Sequence, residues 1–403
     1  MKLSQWISTN NSSSHWWFVK RLSANDTGQT GGHQVGIYIP KQLVQRILTP
    51  VSRTDIKNPD MTLPACIESH NMPEQTVRVI YYNSKKYAQK KNGRDEQRIT
   101  RWNSDLTGSP LQDGDNTGAL TVFSFELNSS TGQAEGINTW ICSGLEEEEL
   151  LESLIGEVLP GEYIEERADH LLTGFIPAKH VGKSKLTLPE EWRTAFPSGK
   201  EIIDFLATNF TFSTTDPDKL LIERRREEYK LFLEVEKLHV LEQVQEGFKT
   251  VDDFIFLANS VSNRRKSRSG KSLEIHLEDI FKQQGLTSFG TQCTTEGNKK
   301  PDFLFPSCEA YKNNKFASEK LRMLAVKTTC KDRWRQILNE ANRIPEKHLF
   351  TLQEGVSENQ FSEMRCENVI LVVPESLKSK YPEKIRTEIL TLSDFISDTR
   401  NCQ

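Results

Sequence analysis

At 403 residues, 36% hydrophobic and 27% charged, the chain has the make-up of a soluble globular protein and is too long for one ordinary core, so two domains are expected. A formal net charge of −4 excludes a generally polybasic protein, and any nucleic-acid contact must come from local basic patches. Seven scattered cysteines, with no CxxC pair or Cys/His cluster, argue against zinc and for reduced thiols in a cytoplasm, and no apolar run has the length of a signal peptide or a membrane span.

The first part reads as mostly β. Short aromatic and β-branched runs at Trp16–Val19, Val35–Ile39, Val77–Tyr82, Ala119–Phe125 and Ile137–Cys142 predict strands. Turn-forming stretches separate them, among them Asp26–Gly32 and Asp113–Gly118, and short strands with frequent turns favour a barrel or sandwich. After Glu146 to Glu149, the residues Leu150, Leu151, Leu154, Ile155 and Val158 recur at helical spacing. Around 177–199 the pattern fades into Pro-, Lys- and Ser-containing sequence, which is read as a linker.

Beyond it the chain becomes α/β. Asp216-Pro217 opens a long charged helix with an expected stripe of Leu231, Val235, Leu238 and Leu241. A second helix carries Leu273, Leu277, Ile280 and Phe281 on one face. Strands are expected at 302–305, 321–328, 348–352 and 369–373, with a helix over Asp332–Arg343 that ends at Ile344-Pro345.

Chemistry concentrates on Asn298-Lys299-Lys300-Pro301-Asp302-Phe303-Leu304-Phe305 and, downstream, Ala325-Val326-Lys327. They put a carboxylate at the turn into one apolar strand and a lysine late in another. Metal-dependent phosphodiester hydrolysis uses that pair, a carboxylate to hold a divalent cation and an ammonium to steady the attacking water or the developing charge. Residues i and i+2 of a strand share a face, and nucleases built on this plan usually put an acid two positions before the lysine; that position is Ala325, which can ligate nothing. On the next helix Glu340 lies beside the expected buried stripe of Trp334, Ile337, Leu338 and Ala341 and can supply the missing carboxylate, with Asp332 as a cap. Glu274, between Leu273 and Leu277, is a further candidate. Tyr311 is read as structural or incidental, since nothing local argues for a covalent DNA–enzyme intermediate.

This arrangement resembles the PD-(D/E)xK nucleases, in the branch whose second acid has moved to the following helix. The segments Asn259–Lys266, Glu296–Asp302 and Leu324–Arg335 are similar to those of the EcoRII restriction endonucleases, as are Lys20–Gly28 and Arg98–Trp102 in the first part, so the likeness spans nearly the whole chain. The resemblance implies a catalytic core of Asp302, Lys327 and Glu340 with Glu274 in support, Asp302 and Glu340 as ligands of Mg²⁺, and products with a 5′-phosphate and a 3′-hydroxyl. It also implies that Lys331, Asp332 and Arg333 read the C·G pairs of a short palindrome, as an arginine can bond guanine O6 and N7 together and an acid can accept from cytosine N4.

Other basic groups are read as backbone contacts. Arg264, Arg265 and Lys266 open a stretch to Lys271 with no acid of its own, suited to phosphates. Arg224-Arg225-Arg226 is flanked by Glu223, Glu227 and Glu228, which can pair with it along the helix; the resemblance nevertheless carries the handling of a flipped central base pair onto Arg225. In the first part Lys85, Lys86, Lys90, Lys91, Arg94, Arg98 and Arg101 cluster around an expected hairpin with Glu96 between them. The family grips a second copy of its target with an equivalent loop on a barrel resembling the plant B3 domain, which implies DNA contacts for Lys20, His33, Arg94, Glu96 and Arg98.

The expected architecture is a B3-like pseudobarrel DNA-binding domain at 1–176, a linker at 177–199, and an α/β restriction-endonuclease-like catalytic domain at 200–403 with a mixed sheet flanked by helices. The resemblance implies a cytoplasmic type II enzyme, homodimeric through the catalytic domain, that cuts double-stranded DNA before the first cytosine of CCWGG once a second, effector site is bound. The competing reading is a non-enzymatic, sequence-specific DNA-binding regulator with a degenerate nuclease fold, and its support is the missing acid at Ala325.

Overall fold

A computed structural model describes residues 1–30, 36–89, 91–103, 108–172, 188–331 and 333–402. His33, Lys90, Asp332 and positions 177–187 of the expected linker lie outside the described residues, as does the side chain of Lys266. The chain divides into two units, one of Met1–Ile176, Gln353–Ser362 and Lys380–Arg386, the other of Pro177–Leu352, Glu363–Ser379 and Thr387–Gln403.

In the first unit an N-terminal helix α1 (Leu3–Thr9) precedes β1 (His15–Arg21), β2 (Ile37–Ile39), β3 (Asp60–Ile67), β4 (Gln75–Tyr82), β5 (Glu96–Thr100), β6 (Leu120–Leu127), β7 (Ala134–Ile141), helix α2 (Leu145–Ile155) and β8 (Tyr163–Arg167). The eight strands form one sheet in the order β2-β5-β4-β3-β7-β6-β1-β8, antiparallel except where β3 runs parallel to β7. Trp16 to Val19 carry no polar break because both faces of their strand are covered. Trp16 and Phe18 enter a core with Phe123 and Trp102, while Trp17 and Val19 enter another with Trp6 of α1 and Trp140. The stripe expected on α2 is displaced: Leu151 and Ile155 are buried, Leu150 is exposed, and Val158 lies past the helix end, which Gly156 sets with a left-handed φ of 94°.

In the second unit α3 (Gly199–Asn209) leads to α4 (Pro217–Glu246) and α5 (Val251–Gln283). Asp216 caps α4 by accepting from the Lys219 amide, and Thr250 with Asp253 closes a capping box on α5. Leu231 and Val235 are buried as the periodicity predicts, but Leu238 and Leu241 are exposed, since the core against which α4 packs ends at Val235. Arg264 to Lys271 also departs from expectation. The segment is helical, within α5, and its acids come from α4: Glu236 meets Arg265 at 2.5 Å and Glu228 meets Arg268 at 2.7 Å. Arg224 likewise pairs with Asp279 on α5 rather than with the glutamates beside it.

The second sheet has the order β14-β13-β12-β11-β10-β9, from β9 (Gly290–Thr291), β10 (Phe303–Phe305), β11 (Arg322–Lys327), β12 (Lys347–Thr351), β13 (Val369–Val373) and β14 (Leu390–Thr391). The β9–β10–β11 end is antiparallel and the rest parallel. Leu273, Leu277, Ile280 and Phe281 of α5 pack on Phe303, Phe305, Leu324 and Val326, with Phe395 of α7 (Leu392–Cys402) in the same core; α6 (Cys308–Lys312) follows β10. Where the sequence suggests reduced thiols throughout, Cys293 and Cys308 form a disulfide. The turn after β9 and the start of α6 bring their Cα atoms to 5.7 Å, and a side chain at Gly290 would strike both sulfurs.

His348 of β12 is 2% exposed, and burial, seconded by the Arg322 guanidinium, pushes its pKa down to about 4 from 6.5. The unfolded chain therefore binds this proton more readily, and the associated stability is complete above pH 6.5 and lost as the pH falls towards 4. In urea unfolding, His348→Leu is expected to shrink the stability difference between pH 7 and pH 5 by roughly 1–2 kcal/mol. An unchanged difference would remove His348 as its source.

Candidate active site

Strands β10 and β11 pair with Phe303 across from Leu324, so the register carried one step further sets Asp302 across from Ala325. Asp302 is 8% exposed, and its Oδ2 accepts from the Val326 amide at 2.7 Å. Lys327, at the end of β11, brings its Nζ to 3.4 Å from the same oxygen. Asp302 Oδ1 accepts at 3.2 Å from the Gln292 side-chain amide, which also donates to Glu274 Oε2 at 3.2 Å. Burial first, and then the Asp302 charge, push the Glu274 carboxyl up to about 7. Gln292 carries no sequence signal as a site residue. It reaches both acids from the turn after β9, where it adopts a left-handed φ of 51°.

Glu340 arrives by a route that differs from the expected one. The helix over Asp332–Arg343 is instead a short 3₁₀ segment at Arg333–Ile337 followed by turns. The Glu340 amide bonds the Ile337 carbonyl three residues back, and Ala341 takes φ 49°, a left-handed conformation that no helix continues through. Trp334, Ile337 and Ala341 are nevertheless buried as expected, while Leu338 is half-buried. Burial raises the Glu340 carboxyl; the Lys327 ammonium opposes that shift and the Asp302 carboxylate adds to it. Asp302, Lys327, Glu274 and Glu340 thus share one electrostatic neighbourhood.

Among the described residues, no three His, Cys, Asp or Glu side chains come together as a metal-binding group. A magnesium ion asks for less, since it keeps several waters and binds through one or two carboxylates. The donor chemistry of Asp302 and Glu340 fits such an ion: half-buried or buried oxygens, with like charges that repel until a cation joins them.

The basic residues are placed unequally. Arg333 begins the 3₁₀ segment and is half-buried, as is Lys331 just before it. Arg225 is 2% exposed and donates to Ser272 at 2.9 Å. Arg264 lies over the Phe196 ring at 4.6 Å. In the first unit β4 and β5 form the expected hairpin. There Arg94 is exposed over Tyr82, while Arg98 is buried, pairing with Glu96 at 3.2 Å and donating to the Gly36 carbonyl. Lys20 pairs with Asp26 at 2.7 Å.

Two family models match: the EcoRII restriction endonuclease N-terminal model over residues 11–169 and the EcoRII C-terminal model over 232–396. The type II restriction enzyme EcoRII of Escherichia coli is 52% identical over 381 residues, 94% of this chain and 93% of that protein. The type II restriction enzyme SsoII of Shigella sonnei is 29% identical over 150 residues, 35% of this chain and 48% of that one. Among solved structures, metal-depleted Ecl18kI in complex with uncleaved, modified DNA aligns with a TM-score of 0.44 at 22% identity, over 53% of this chain and 81% of that one. The B3 domain of the UbaLAI restriction endonuclease with cognate DNA aligns at 0.27 and 20% identity, over 40% of this chain and 97% of that one. The chain belongs to the EcoRII family of type II restriction endonucleases. The mostly β unit is accordingly the one matched by the EcoRII N-terminal model, and the α/β unit the one matched by the EcoRII C-terminal model.

Proposed function

We propose that the chain cuts both strands of DNA before the first cytosine of CCWGG, with Mg²⁺ as cofactor, and that it does so after a second copy of the site binds residues 1–176. In this reading residues 177–199 are the linker and 200–403 the nuclease, which acts as a homodimer in the cytoplasm, because a twofold-symmetric site cut on both strands calls for two related active sites. What supports the catalytic assignment is the approach of Lys327 Nζ to Asp302 Oδ2 at 3.4 Å, on adjacent strands of the unit whose sequence the family shares. No helix among the described residues is long and apolar enough to cross a membrane.

Asp302 and Glu340 would hold the ion, which when bound supplies a Lewis acid at the phosphoryl oxygen and a more acidic water. The Lys327 ammonium would orient a non-bridging phosphate oxygen and offset the negative charge that builds there. Glu274, whose carboxyl is pushed up to about 7, can hold a proton or release it as the site fills. Lys331, Asp332 and Arg333 would read base edges, while Arg264, Arg265 and Lys266 would face phosphates and Arg225 the central pair. On the effector side Lys20, His33, Arg94, Glu96 and Arg98 would face the second copy.

Plasmids with one or two CCWGG sites, incubated with the protein and Mg²⁺ and end-mapped, test this. Discrete fragments with 5′-phosphates before the first cytosine, formed faster on the two-site plasmid, are expected. A smear would point to relaxed cleavage, and intact plasmid with a retained gel shift to the DNA-binding regulator.

A further inference from the structure

The turn that carries Glu340 is held by groups from three other places in the second unit. Tyr311 of α6 is 3% exposed and donates its hydroxyl to Glu296, with Oε1 at 2.8 Å and Oε2 at 2.7 Å. That carboxylate, five residues before the Pro301-Asp302 step, also accepts from the Asn342 amide at 3.3 Å, and the Arg343 amide donates to the Tyr311 hydroxyl at 3.3 Å. Lys347, 5% exposed at the start of β12, donates its ammonium to the Ala341 carbonyl at 2.9 Å and the Ile344 carbonyl at 2.5 Å. The Arg343 guanidinium reaches the Tyr311 and Phe316 carbonyls.

These bonds surround a backbone conformation that the chain would not favour unaided. A left-handed alanine is disfavoured, and such a conformation persists only where its surroundings over-determine it. A buried ammonium is tolerated only when its hydrogens are bonded, and here two of its partners are the carbonyls on either side of that turn. Both features act at one place, the residue after Glu340.

We propose that Tyr311, Glu296 and Lys347 are positioning residues for the Glu340 carboxylate: they lock the 340–344 turn in the backbone shape that presents this acid beside Asp302, in place of the strand acid that Ala325 lacks. The proposal rests on the reading that Asp302 and Glu340 hold the cation. Pinning of this kind removes the freedom Glu340 would otherwise lose on binding the ion, so its loss weakens affinity for the metal before it touches the chemical step.

The test is calorimetric titration of Ca²⁺ into the full chain bound to a CCWGG duplex, for the native protein and for Tyr311→Phe, Glu296→Gln, Glu340→Gln and the double variant Tyr311→Phe/Glu340→Gln. Thermal melts establish that each variant is folded, and Glu296→Gln, which removes charge but not shape, stands in should Tyr311→Phe fail to fold. Tyr311→Phe and Glu296→Gln are each expected to weaken Ca²⁺ binding about 10- to 100-fold. In the Glu340→Gln background the second substitution should add nothing, because it acts through the acid already removed. Cleavage by Tyr311→Phe at saturating Mg²⁺ should return to within a few-fold of native. If Glu340→Gln weakens Ca²⁺ binding and the other two do not, or if their effects persist without Glu340, the positioning role is overturned and the ligand assignment stands. If Glu340→Gln leaves Ca²⁺ binding unchanged, the ligand assignment itself falls and the positioning role with it.

Discussion

Lys327→Ala is expected to abolish cutting of cognate DNA, lowering the single-turnover rate by on the order of 10³-fold or more, while leaving sequence-specific binding within a few-fold of native. The asymmetry follows from where Lys327 lies. Its ammonium sits 3.4 Å from a buried carboxylate at the end of a strand whose residues Met323 to Val326 are core, and in the proposed reading it serves the reacting phosphate and not the base edges. The residues assigned to base reading begin four positions later, and Arg333 among them opens a 3₁₀ segment separate from the strand, so base reading is expected to survive the loss of Lys327. Single-turnover cleavage in Mg²⁺ and gel-shift binding in Ca²⁺ measure the two effects apart. A Lys327→Ala protein that nicked cognate DNA at the native rate would place the chemistry elsewhere.

The second large effect concerns the fold. Glu228 is fully buried, and its two oxygens accept from Arg268 at 2.9 and 2.7 Å and from Ser272 at 3.0 Å. Arg268 is itself buried, so Glu228→Ala leaves a guanidinium in the interior without its counter-charge. Breaking one side of such a pair costs about 3–5 kcal/mol, more than surface pairs such as Arg53–Asp55 contribute. Burial opposes the charged carboxylate, but Arg268 and His276 outweigh it and hold the Glu228 pKa well below its ordinary value. The stability from that shift is therefore present above about pH 4.5 and is lost as the solution is acidified below it. Urea denaturation at pH 7 should show the destabilisation, and a change under 1 kcal/mol would mean that the Glu228–Arg268 pair adds little to what holds α4 on α5.

How much of this was legible beforehand depends on the range of the contacts involved. Phe303–Phe305 and Val369–Val373 read as strands because the sheet is covered on both faces and the apolar run needs no partner to be seen. Asp302 and Lys327 take their places from the apolar runs of β10 and β11, since a residue at a strand end inherits its place from the register. Glu340 could be put forward in place of the acid that Ala325 lacks, but the path of the chain around it could not be read: a left-handed Ala341 and the bonds from Tyr311, Glu296 and Lys347 leave no periodic trace. The partners of Arg265 and Arg268 stand 29 and 40 residues away, which is why a stretch that looked uncompensated is paired. Gln292 and the Cys293–Cys308 link were invisible for the same reason, each depending on where the chain after β9 lies.

One bond described above reaches further than its length suggests. Because the Val326 amide is spent on Asp302, the two strands that carry the acid and the lysine are stitched at the point where chemistry would occur. Any local opening that frees this hydrogen scatters both groups at once. Exchange of the Val326 proton with deuterated water thus offers a gauge of how much of the population is assembled for cutting at a given moment, readable without substrate and without turnover.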